Sequence, residues 1–531
     1  MNWSARLDAP KRLIKQHWLD IALVLAVATV TLLSRWATLE PIELSGDPLD
    51  YWFFVKSWFY GGEFGKLDHH DARFGIHIWL FVVQLVCGES AENTYIAPLA
   101  VSTIVSVLTY VLTRQLSSRA AGVLAAFLVI EFDAFVRLSS QIRPEMFGAM
   151  YILASSIALV AYGRAAPERR LVPFLCATGF LVLGYLTRLD NLLFTPAFLL
   201  LLWQGQRRWR DVLLFAGLLV AGFLAETLIH LLLAGGSRLS AEVPRGSGAP
   251  ITEYARVLDR VTKYLEDSGK LIFYPFIASA PALLAITRGT KNAHAGRVVA
   301  LLPLSFLALV IFGIRSIDPI RPFMPMNSRY LDGAAPHCII ATSIVLQQGV
   351  ASLLPRASRF WSRRTTGIVS LLATVGVLSG HAVGAVRAIE RRPAGAHPFR
   401  EARRQFLLLS DAYERGLPII GPADKTIKLG RKRIPRSPPM HWAYKGFVRS
   451  DLLLNERGKL TKFDYRLTKS MSADSRTVYL PRDLSRAEVA DAARDRTCTV
   501  TLARRGRFVD IRGNHTALPP QCKGLRRGKK R

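Results

Sequence analysis

Long apolar runs broken by short basic segments alternate along most of the chain. The run at 19–37 is long enough to cross a hydrocarbon core of about 30 Å at about 1.5 Å per residue. Further runs follow at 94–112, 120–135, 146–162, 171–186, 192–203, 212–233, 271–286, 298–314, 330–350 and 367–386. This pattern predicts an all-α polytopic membrane domain of about eleven transmembrane helices. Residues 38–93 fit neither a loop nor ordinary spans. Phe53, Phe54, Trp58, Phe59 and Tyr60, then Ile76, Ile78, Trp79, Leu80 and Phe81, form aromatic-rich patches interrupted by charges. Such patches predict helices lying in the membrane interface. A span at 76–87 is the competing reading, but it is short and would invert every later loop.

After Arg387 the hydropathy falls. β-rich pieces at 476–480 and 498–502, with helix signals at 399–414 and 485–494, predict a small α/β C-terminal domain. The expected organisation is therefore a cytoplasmic N-terminus at 1–18, a transmembrane domain at 19–386 with its first loop at 38–93, a C-terminal domain at 387–523, and a basic tail at 524–531.

Composition strengthens the membrane reading, with 50% hydrophobic residues among 531 and a mean hydropathy of +0.22. The formal charge of +31 gathers between apolar runs and in the C-terminal region, a topological pattern rather than a nucleic-acid face. Arg6, Lys11, Arg12 and Lys15 precede the first run, so the positive-inside rule puts the N-terminus in the cytoplasm. Arg114 and Arg119, Arg164 to Arg170, and Arg356 to Arg364 then also fall inside. An odd number of spans leaves the C-terminal domain extracytoplasmic, on a protein of the cytoplasmic (inner or plasma) membrane. Cys87, Cys176 and Cys338 lie in apolar segments and read as small hydrophobes; Cys498 and Cys522 lie in a polar region, either disulfide-bonded or as two thiols.

The candidate chemistry gathers at the outer ends of the runs. Asp47, between Gly46 and Pro48, sits in a turn from which its carboxylate can project; an Asx-turn or helix cap is the simpler explanation of the residue taken alone. Asp50, Tyr51, His69, His70, Asp71 and Arg73 share its loop. A carboxylate within hydrogen-bond reach of a hydroxyl can act as a general base, and a dry interface raises its pKa toward that task. His69, His70 and Asp71 leave a metal site open, though adjacent residues point apart.

Arg143, Pro144 and Glu145 precede one span, and Arg188 and Asp190 precede the next pair; simple interfacial ion pairs would also account for them. Arg321, Arg329 and Tyr330 complete an outer basic ring suited to a lipid phosphate, or to membrane anchoring alone. Glu131, Asp133, Glu226 and His230 fall within apolar runs, where they must face protein or a wet cavity. No nucleotide-type glycine loop is present.

The ordered set resembles the type-C glycosyltransferases. The set comprises Asp47 and Tyr51 in the first outer loop, Arg73-Phe74-Gly75, Arg143-Pro144-Glu145, and Arg329-Tyr330 opening a late span. The nearest branch is that of the protein O-mannosyltransferases and the aminoarabinose transferase of lipid A, and the likeness covers 19–386. It implies an inverting transfer of a sugar from a polyprenyl-phosphate donor to an acceptor hydroxyl on lipid, glycan or protein, with no cofactor required. It also implies that Asp47 is the general base. Pro48 replaces the second acid of the family's usual pair, so Asp50 or Glu145 supplies it. The remaining candidates, Tyr51, His69, His70, Asp71, Arg73, Arg143, Arg188, Asp190, Arg329 and Tyr330, are then expected to bind substrate. A transporter or flippase working through Glu131, Asp133 and Glu226, or a non-catalytic membrane scaffold, are the other classes open.

Overall fold

The computed structural model describes residues 3–40, 51, 52, 54, 55, 73–88, 91–204, 208–234, 270–312, 314–317, 320–322 and 328–357, with 383, 386 and short strands between 419 and 512. The helices are α1 (Trp3–Ala37), α2 (Phe74–Cys87), α3 (Ile96–Leu116), α4 (Arg119–Glu131), α5 (Asp133–Leu138), α6 (Pro144–Arg164) and α7 (Leu171–Thr187). They continue with α8 (Thr195–Trp203), α9 (Arg208–Ala234), α10 (Lys270–Thr287), α11 (Ala293–Phe312) and α12 (Ala335–Ala357). Helices thus stand at ten of the expected runs; 367–386 falls almost entirely outside the described residues. Among the described residues, five helical stretches are long and apolar enough to cross a membrane: Trp18–Ala37, Glu92–Leu116, Pro144–Arg164, Trp209–Leu232 and Ala293–Val310.

The helix ends follow local chemistry. Ser118 caps α4, its hydroxyl accepting from Ala121 N at 3.2 Å, and Pro144 occupies the first turn of α6, where a missing N–H costs least. One expectation needs correction. Glu131 and Asp133 do not lie inside a span: Phe132 leaves the helical region (φ −65°, ψ 111°), ending α4 and starting α5. Both acids are exposed, and Asp133 pairs with Arg137 one turn on at 3.0 Å. A charged pair at a helix break reaches water, so the burial cost that the apolar pattern implied does not arise.

α6 is the central helix. It packs on α7, α3 and α11, and its middle is buried on nearly every side. α9 is the opposite case, with its apolar residues largely exposed toward what would be lipid. Its Glu226 and His230 are nevertheless buried, and Glu226 accepts a hydrogen bond from the Tyr185 hydroxyl of α7. Polar groups in a helical bundle must be satisfied within it. Accordingly, Thr31, Ser106, Thr109, Thr113, Ser156, Thr178, Thr187 and Thr287 each donate to the carbonyl four residues back.

α2 lies across one end of the bundle. Its first turn touches the end of α7: a Cβ on Gly75 would collide with Thr187 Oγ1 and lie 2.6 Å from the Leu183 carbonyl oxygen. Its last turn leads through Ala91–Tyr95 into the start of α3, where the Tyr95 hydroxyl donates to Glu40 O at 2.9 Å, just beyond α1. Both ends of α2 are therefore at the same end of the bundle. Gln84 in α2 donates to Trp52 O at 2.9 Å, and Tyr51 and Trp52 are fully buried.

A hairpin of β1 (Ile314–Ile317) and β2 (Ile320–Pro322) follows α11. Farther along are β3 (Ile419–Gly421), β4 (Thr426–Leu429), β5 (Lys432–Pro435), β6 (Tyr465–Thr468), β7 (Thr477–Pro481), β8 (Val500–Arg505) and β9 (Phe508–Arg512). β4 and β5 pair with each other, and the rest form a five-stranded sheet in the order β6-β7-β3-β8-β9, with β3 and β8 parallel. The helix signals at 399–414 and 485–494 lie outside the described residues, as do Cys498 and Cys522.

Gly75→Ala is expected to lower stability by about 1–3 kcal/mol, the usual cost of overpacking, because one of the two obstructing atoms is backbone. Thermal unfolding of the purified protein in detergent measures it; a midpoint equal to wild type would mean that α2 and α7 separate freely.

Candidate active site

The end of the bundle covered by α2 collects polar groups from two distant segments. Glu145 enters from the first turn of α6, Arg188 from the end of α7, and Asp190 from the 3₁₀ turn Leu189–Phe194 that joins α7 to α8. Arg188 is extended (φ −150°, ψ 134°), which breaks the helix and turns its side chain inward. One guanidinium nitrogen then reaches Glu145 Oε1 at 2.9 Å and another reaches Asp190 Oδ2 at 2.8 Å, while Nε donates to Asp190 Oδ1 at 2.8 Å. Arg188 therefore grips Asp190 with two parallel bonds and Glu145 with a third. All three side chains are buried, with at most 8% exposure, so these are not ion pairs snorkelling to water.

The turn beneath is closed by Asn191, whose Nδ2 donates to Gly184 O at 2.8 Å. It packs against Gly148 so tightly that a Cβ there would lie 2.7 Å from the amide nitrogen. Burial is the largest influence on the Asp190 carboxyl and raises its pKa. Arg188 opposes the rise, Glu145 adds to it, and Arg73 is close enough to oppose it as well. Arg73 stands just ahead of α2, donating to the Tyr51 hydroxyl and lying 5.5 Å from the centre of that ring. Below it, Trp79 Nε1 donates to the Tyr151 hydroxyl, which donates in turn to Gly75 O, both at 3.0 Å.

The structure thus brings together Tyr51, Arg73, Glu145, Arg188 and Asp190. Arg143 precedes α6 in extended conformation and donates from Nε to Gln141 Oε1 at 3.2 Å. Arg329 and Tyr330 lie in the 3₁₀ turn Ser328–Ala334, which packs against α6, and Arg321 lies in β2. Asp47, Asp50, His69, His70 and Asp71 are outside the described residues. Among the described residues there is no group of three His, Cys, Asp or Glu side chains able to hold a metal ion.

Two contributors escape sequence reasoning. Asn191 looks like an ordinary turn residue, and its role depends on Gly148, which is 43 positions away. Arg35 reads as the basic end of a span, yet it is fully buried and donates from Nε to Ser102 Oγ at 3.0 Å and from Nη2 to Val129 O at 3.1 Å. Its signal was position, one turn inside the apolar limit of α1. By tying α1 to α3 and α4 it fixes where the first loop departs. There the Glu40 amide donates to Ser140 Oγ at 3.0 Å, and burial raises the Glu40 pKa, with Arg137 opposing.

No family model and no curated protein matches the sequence. Among solved structures, the fold is similar to the oligosaccharyltransferase of Archaeoglobus fulgidus tethered to an acceptor peptide, with 12% identity and a TM-score of 0.45; the match covers 76% of this chain and 58% of that one. It is similar also to ArnT from Cupriavidus metallidurans bound to undecaprenyl phosphate, with 13% identity and a TM-score of 0.42, over 74% and 70% of the two chains. Both are type-C glycosyltransferases. The chain spans a little over half the length of the oligosaccharyltransferase it matches.

Arg188→Gln leaves two buried carboxylates facing each other and is expected to cost about 3–5 kcal/mol. Adding Glu145→Gln and Asp190→Asn in the same chain removes both charges and should recover most of that loss in a thermal unfolding series. A single variant as stable as wild type would show that the cluster is hydrated rather than buried.

Proposed function

We propose that the protein is a membrane glycosyltransferase that moves a sugar from a polyprenyl-phosphate donor to an acceptor hydroxyl on lipid, glycan or protein, at the extracytoplasmic face. Asp47 takes the proton of the acceptor hydroxyl. The oxygen then attacks the anomeric carbon from the side opposite the phosphate, the bond from that carbon to the phosphate oxygen breaks, and the configuration inverts. The lipid phosphate leaves with the electron pair, and Arg143, Arg329 or another loop Arg stabilises its charge. No nucleotide, metal or other cofactor is required for this step.

The observation that carries the proposal is the convergence of the motif segments. Arg73 engages Tyr51 from the first loop and opposes the rise in the Asp190 pKa, and Asp190 shares Arg188 with Glu145. Residues scattered over more than a hundred positions meet at one end of the helical bundle, among them Tyr51, Arg73 and Glu145 of the set that the family resemblance singles out. Glu145 is taken up in orienting Arg188, which favours Asp47 over Glu145 as the base and leaves Asp50 as the second acid. In this reading the Arg188 cluster is the rigid floor of the site, and Tyr51 with Arg73 fixes one wall. The reading also places the N-terminus in the cytoplasm and the C-terminal domain outside, on a protein of the cytoplasmic membrane.

Asp47→Asn is expected to reduce transfer by about 10²–10⁴-fold, the range for loss of a general base, at normal expression, read in purified membranes with a radiolabelled lipid-linked sugar pool. Glu226→Ala, which breaks the contact with Tyr185, should weaken folding while leaving transfer per folded molecule intact. Undiminished transfer in the Asp47 variant removes Asp47 from the role of base. A loss confined to the Glu226 variant would favour a transporter.

A further inference from the structure

At the other end of the bundle, a cleft of about 460 Å³ opens between α1 and α3, lined by Asp20, Ile21, Val24, Leu25, Tyr110, Val111, Arg114 and Gln115. Its volume is within the usual range for small-ligand sites, about 300–1,000 Å³. α6 measures the distance from the candidate active site. Glu145 is in its first turn, and Arg164 in its last turn donates to Gln115 O at 2.7 Å. A helix rises about 1.5 Å per residue, so the cleft and the Arg188 cluster lie at opposite ends of the bundle.

The cleft is divided chemically. Its apolar part runs along Ile21, Val24, Leu25 and Val111, and Ile21 and Leu25 are 44% and 61% exposed on the side that a bilayer would cover. Its polar end lies where α1 becomes apolar, beside the exposed Trp18. There Asp20 accepts from Arg119 Nε at 2.7 Å and Nη2 at 3.0 Å, from Arg114 Nε at 3.2 Å, and from the Tyr110 hydroxyl at 3.3 Å. Two guanidinium groups surround one carboxylate, so the cluster keeps a net positive charge. Arg114 and Arg119 remain 38% and 37% exposed, and a guanidinium carries five N–H donors, more than these contacts consume.

We propose that this cleft binds one anionic phospholipid of the adjacent leaflet, with an acyl chain along Val24 and Leu25 and the headgroup phosphate on Arg114 and Arg119. Charge complementarity at headgroup depth selects the phosphate; the apolar trough continuous with the lipid-facing surface selects a chain attached to it. The bound lipid braces α1 against α3 at the end remote from Arg35. This site is separate from the proposed donor site, since its phosphate lies on the opposite membrane surface.

The test uses the full chain purified in detergent, with native mass spectrometry to count retained lipid and thermal unfolding to read stabilisation. Phosphatidylglycerol, phosphatidylcholine and inorganic phosphate are the three probes. Phosphatidylglycerol should be retained and should raise the unfolding midpoint, with the other two giving neither effect. Arg114→Gln should reduce retention about tenfold, or roughly 1.4 kcal/mol. Val24→Trp fills the trough and leaves the Asp20 cluster untouched; it should give a similar loss, and it serves as the measurement if Arg114→Gln does not fold. Retention of phosphatidylglycerol at the wild-type level in the variants overturns the proposal, as does equal retention of phosphatidylcholine. Equal stabilisation by inorganic phosphate overturns it in favour of a free-anion site.

Discussion

A bilayer core offers no water to a polar group, so each buried donor and acceptor in the bundle must find its partner inside the protein. Most backbone groups meet this demand by being helical. Side-chain hydroxyls meet it by donating to the carbonyl one turn back, as in Thr31, Thr109 and Thr178. Charges meet it by gathering at the two ends of the helices, where Arg188 joins Glu145 to Asp190 and Asp20 joins Arg114 to Arg119. The middle of α6 then carries hydroxyls but no charge, with Tyr151, Ser155 and Ser156 each donating to a backbone carbonyl, and helices approach closely at Gly148 and Gly184.

The two charged ends are built differently. The Asp20 cluster is partly exposed, and the residues near it are laced by chain-spanning bonds: Arg164 reaches Gln115 and Asn292, and Asn292 reaches Leu116. These bonds tie α3, α6 and the turn before α11 into one base. The Arg188 cluster is buried, and its members come from turns that follow or precede helices rather than from the helices' faces. A buried guanidinium shared by two carboxylates is held in one geometry because any displacement strands a charge. That rigidity is what a site needs from the groups behind its reacting atoms.

Hydropathy made the helices legible, since a span declares itself through a run of apolar residues that no local interaction needs to confirm. The break at Phe132 was not legible, because only two backbone angles separate one long helix from two short ones, and Phe is at home in either. The position of α2 was argued from charge bookkeeping, and its packing now has a visible cause in Gly75, which allows the backbone to approach Leu183 and Thr187. Within the site, the sequence pointed to Arg143 with Glu145 and to Arg188 with Asp190, as separate pairs near span ends. That one arginine serves both acids depends on α6 and α7 being neighbours, a tertiary fact absent from either segment. Asn191 and Arg35 were missed for the same reason.

Glu40 is fastened by Ser140 and Tyr95, and Tyr51 by Arg73, which leaves Asp47 in a bridge of ten residues, 41–50, whose two ends are both moored at the mouth of the bundle. Arg35 and Arg73 thereby fix the two points between which residues 41–50 must run, so the distance that stretch has to cover is set by side chains that hold α1 and Tyr51 in place.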